Sequence, residues 1–142
     1  MLALVQQIPT DTLPELGAAL LTLARGDSAG AVTALRRVGA NLEPGGGRSD
    51  VLLLAGQVAA RLGGPAQEST AIALFDEIVR AGGPGSAPPA AELEWARVLV
   101  RQGRAADALP HLEHLILTYP GSAFVPEARR ELERARGAIP RS

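Results

Sequence analysis

The chain has no cysteine and no lysine, and only 3% of its 142 residues are aromatic. Without cysteine there are no disulfides, no thiolate chemistry and no cysteine-ligated zinc, while the redox compartment stays open. All 14 basic residues are arginine, they are scattered, and 15 acidic residues leave a formal net charge of −1, so no electrostatic footprint for a phosphate backbone is present. Nucleic acid is therefore not an expected partner. The most apolar stretch, 13–24, is interrupted by Glu15 and ended by Arg25 and Gly26. It falls short of the roughly 20 apolar residues needed to span a bilayer. No P-loop, dinucleotide fingerprint or nucleophile elbow occurs, and no serine or threonine stands at a recognisable motif spacing from a histidine. His111 and His114 flank Glu113 with no further ligand of suitable type nearby, so they read as exposed polar residues. No catalytic residue, metal or cofactor is expected.

What the chain has in abundance is alanine and leucine, with 46% hydrophobic residues overall. Small and branched aliphatic side chains suit closely packed helices better than sheets. Glycine and proline punctuate the chain into seven helical segments, so an all-α fold is expected. Apolar residues keep helical spacing within them: Val32, Leu35, Val38 and Leu42; Ile72, Phe75, Ile78 and Val79; Leu109, Leu112, Leu115 and Ile116. Thr12 or Asp11, Ser49 and Ser69 are the expected N-caps, and Gly63, Gly82 and Gly103 the expected stops. Pro110 must sit in a first turn or kink its helix.

One order of residues recurs three times: a small residue, a glycine seven positions on, an alanine, a large apolar residue four further, and a proline. The sets are Ala19, Gly26, Ala31, Leu35, Pro44; Gly56, Gly63, Ala71, Phe75, Pro84; and Ala96, Gly103, Ala108, Leu112, Pro120. The small residues let paired helices approach closely, and the large ones fill the gap to the next helix.

With Trp95 ahead of Ala96, this order resembles the tetratricopeptide repeat (TPR), and the resemblance covers nearly the whole chain. It implies an α-solenoid of three helix-turn-helix hairpins, at about 12–45, 49–85 and 89–122, plus a capping helix at about 123–138, all in one domain. Leu99 stands where the family carries tyrosine, and the intervals from Ala31 to Ala71 and from Ala71 to Ala108 exceed the family period of about 34 residues. The capping segment places Phe124, Ala128, Leu132 and Ala135 on one side and Glu127, Arg130, Glu131 and Arg134 on the other. Its approach, YPGSAFVPEA, is similar to repeats in periplasmic TPR proteins of bacterial envelope assemblies.

The resemblance also implies a concave partner-binding face formed by first helices, and its offsets fall on Leu16, Leu20, Leu23, Leu53, Gln57, Arg61, Leu93, Arg97 and Arg101, with Ala60 and Val100 beside them. Arg97 and Arg101, one turn apart, suit a partner's carboxylates, or else pair with Glu94 and the last helix. The lysine and asparagine pattern that binds chaperone C-termini is missing, since the only asparagine is Asn41. The expected function is a non-catalytic adaptor holding a peptide or helix of a partner protein. The alternative is a structural subunit or fragment of a larger assembly, of the bacterial envelope type, with the stack as a spacer. Leu2, Leu4, Val5 and Ile8, ahead of the apolar segment 13–24, suggest that the N-terminal end is covered by the chain itself, by a second copy or by a partner helix. The opening MLALVQQIPTDTL has no basic region and no cleavage site, so the cytoplasm is the expected compartment, with the periplasm as the alternative if a signal has been removed.

Overall fold

The computed structural model describes residues 12–139, which form seven helices and, among the described residues, no strand. They are α1 (Leu13–Ala24), α2 (Ser28–Ala40), α3 (Gly46–Leu62), α4 (Pro65–Ala81), α5 (Ala87–Arg101), α6 (Ala105–Thr118) and α7 (Val125–Ala138). Each helix packs on the next, and α3 also touches α5 as α5 touches α7. The fold is thus a successive helical array in which alternate helices form a continuous row.

The recurring residues explain why the array closes up. Ala19, Ala31, Ala71, Ala96 and Ala108 are buried, as are Leu35, Phe75 and Leu112. A Cβ on Gly56 would lie 2.6 Å from Cε1 of Phe75, so the bare backbone of α3 at Gly56 leaves the room that the Phe75 ring of α4 fills. Gly103, at φ +77°, turns the chain between α5 and α6 while the Arg104 N–H donates to the Leu99 carbonyl at 2.8 Å. The core divides into one cluster running from Leu16 to Val98 and a second running from Leu93 to Ala135. Ile72 and Trp95 pack against both. Each large aliphatic side chain so buried stabilises the fold by roughly 1.5–3 kcal/mol.

Helix starts differ from the sequence expectation. Ser49 and Ser69 lie inside α3 and α4, which begin at Gly46 and Pro65. Proline is favoured in a first turn because the missing N–H has no partner there, so Pro65 opens α4, and Pro88 and Pro89 open α5. Thr12 precedes α1 without a side-chain cap bond, and Asp11 lies outside the described residues. The cap that forms is Asp27, whose Oδ1 accepts the Gly30 N–H at 2.9 Å. Pro110 is inside α6, past its first turn, and exposed.

Candidate functional site

Helix α5 lies between α3 and α7 in the row of alternate helices, and its polar side chains reach both ways. Residues four apart share a helix face, so Arg97 and Arg101 leave α5 on the same side. Their surroundings are nevertheless opposite. Arg97 donates to Glu127 at 2.7 Å and to Glu94 at 3.3 Å, and its Nε lies 3.5 Å from Glu131. Burial works against its charge, but the hydrogen bond to Glu127 and the charges of Glu94, Glu131 and Glu127 outweigh that cost, and the guanidinium pKa rises above its ordinary value. Glu131, read from the sequence as part of the outer polar face of α7, is only 8% exposed because it turns inward to this arginine and also accepts from Arg134 at 2.9 Å.

Arg101 meets no carboxylate among the described residues. Its Nη2 donates to the Ala60 carbonyl at 3.4 Å, tying α5 to α3 through a neutral acceptor. Arg61 on α3 is similar, with Nε donating to the Gln57 carbonyl of its own helix at 3.4 Å. These groups line a depression of about 520 Å³ together with Gln57, Ala60 and Glu94. The two guanidiniums face one negative charge there, and that charge, on Glu94, is already engaged by Arg97. The depression is therefore suited to an anionic group that both arginines reach.

The nine residues expected to line a binding face separate into four groups. Leu16 and Leu93, each 1% exposed, are core residues with no surface to offer, because the apolar stripe that marks a face also marks a core. Leu20, Leu23 and Leu53 are partly buried and pack against the first cluster, as Val100 does against the second. Gln57, Arg61 and Arg101 line the depression, while Arg97 binds α7. Leu2, Leu4, Val5 and Ile8 lie outside the described residues.

A second polar cluster was not legible from residue spacing. Glu92, buried between α5 and α6, receives Nδ1 of His111 at 3.1 Å and Nδ1 of His114. His111 is half-buried rather than exposed, with its ring centroid 3.9 Å from that of Trp95. Burial and the charge of Glu92 push the Tyr119 hydroxyl pKa upward. Glu92 and the histidine pair are 19 and 22 residues apart, a separation no local motif covers. Among the described residues no three His, Cys, Asp or Glu side chains are placed to hold a metal ion. None of the helices there is long and apolar enough to cross a membrane.

No family model, no curated protein and no solved structure matches the chain.

Proposed function

We propose that the chain is a TPR-like, non-catalytic interaction module that holds a peptide or helix of a partner protein against the face built by α3 and α5. The observation that supports this reading is the depression between those helices, where Arg61 and Arg101 have no carboxylate partner among the described residues. A partner carboxylate placed there gains charge-assisted hydrogen bonds, while the packed helices beneath supply a rigid, preorganised support. The test is affinity capture with the unaltered chain and with Arg61→Glu/Arg101→Glu, followed by mass spectrometry and a binding titration with the recovered partner. The reading expects a partner that the unaltered chain retains and the double variant loses. Equal binding by both chains excludes this face.

A second reading, a spacer subunit of a larger, bacterial-envelope type assembly or of a homo-oligomer, is supported by α1, where Leu21 is 50% exposed beside partly buried Leu20 and Leu23. Under it, Leu21→Asp lowers the sedimentation coefficient of the assembled species; an unchanged monomer in both chains removes it.

A further inference from the structure

We propose that the chain carries a second protein-binding surface, on the other side of α3, that takes a short acidic peptide segment. A groove of about 340 Å³ runs between α2 and α4, with Arg36, Arg37 and Arg48 at its rim, Leu52 and Leu74 beneath, and Glu77 opposite. Arg48 precedes Gln57, and Leu52 precedes Arg61, by nine positions. At about 100° per residue that interval is about two and a half turns, so the groove and the depression occupy opposite sides of α3. One partner does not need to displace the other.

The groove shows by its own contacts what it accepts. Arg48 Nη2 of α3 holds Glu77 Oε1 of α4 at 3.0 Å, so a carboxylate is already accommodated at one wall of the groove. Arg36 and Arg37 are exposed and make no ion pair among the described residues. Three guanidiniums thus face one carboxylate, and the excess calls for at least one more from outside. The lining has no aromatic side chain on which a base could stack, and the chain as a whole is slightly negative, which favours a peptide over a nucleic acid. Leu52 and Leu74 are themselves buried, so the floor offers little apolar area and recognition is mainly electrostatic. Binding at this surface is accordingly salt-sensitive and changes chiefly in association rate. With both surfaces occupied, the module joins two proteins.

The experiment uses the full chain carrying Arg61→Glu/Arg101→Glu, so that the depression contributes nothing and the outcome is independent of the proposed function. Fluorescence anisotropy follows a fluorescein-labelled peptide of repeated Glu-Glu-Leu triplets, a Gln-Gln-Leu peptide of equal length, and a single-stranded oligothymidine. The acidic peptide is expected to bind in low salt, and further substitution with Arg36→Glu/Arg37→Glu to weaken it about tenfold. Arg36→Gln/Arg37→Gln serves as a milder version, with circular dichroism confirming that both chains keep their helices. The proposal is overturned by absent binding of the acidic peptide, by equal binding of the Gln peptide, by binding that ignores the Arg36 and Arg37 changes, or by tighter binding of the oligothymidine.

Discussion

Arg97 and Arg101 leave the same face of α5 one turn apart, yet one is absorbed by the fold and the other is left open. The difference comes from their neighbours. Toward α7, Glu127 and Glu131 surround Arg97 together with Glu94 of α5 itself; toward α3, among the described residues, Arg101 finds only the Ala60 carbonyl. A charge with three carboxylates is held in place and acts as a clamp between helices. A charge that meets only a neutral carbonyl keeps most of its capacity to bind an anion. Identical residue types at helical spacing therefore take opposite roles according to which helix packs alongside.

The largest effect comes from removing the packing beneath both regions. Phe75→Ala should cost about 3–5 kcal/mol, because it leaves a cavity against Gly56 between α3 and α4, as measured by urea denaturation. The comparison itself is tested next. Arg97→Ala leaves Glu131 buried without its cation on α5 and should cost about 1–3 kcal/mol. Arg101→Ala, at an exposed position, should stay within about 0.5 kcal/mol in the same denaturation experiment. Comparable losses from both would erase the distinction.

The smallest effect sharpens the contrast with a carboxylate that meets no cation among the described residues. Asp50 lies in a cavity of about 530 Å³ between the loops that precede α3 and α5, and burial raises its pKa above the ordinary carboxylate value. A raised pKa means the folded state favours the neutral acid. Ionisation thus takes stability away as pH rises through that pKa, and nothing is lost below the unfolded value. Asp50→Asn should therefore raise the melting temperature at pH 7 and leave it almost unchanged at pH 3, as read by thermal denaturation followed by circular dichroism. An equal change at both values would contradict the assignment to charge.

The array was legible in the sequence because its cause is local. Alanine and glycine at Ala31, Gly56, Ala71 and Ala108 mark close approaches between helices adjacent in the chain, and such neighbours carry the packing pattern in their own spacing. Helix starts were less legible, since Ser49 and Ser69 have the chemistry of caps while Pro65 and Gly46 set the actual boundaries. The site was legible only in part. Gln57, Arg61 and Arg101 follow from helical offsets, but the same offsets select Leu16 and Leu93, whose outward or inward direction depends on how the next helix sits. The Arg97 clamp and the pairing of Glu92 with two histidines need residues far apart in the chain, and no periodicity reports them.

The central claim, that one of two neighbouring arginines of α5 is committed to holding the array together while the other is not, is tested most directly by a double-mutant cycle. Unfolding free energies of the unaltered chain, Arg97→Ala, Glu127→Gln/Glu131→Gln and the variant combining all three give the coupling between α5 and α7. We predict a coupling of about 1–2 kcal/mol. A value within about 0.3 kcal/mol of zero would mean that Arg97 is no more committed to the fold than Arg101, and would contradict the account.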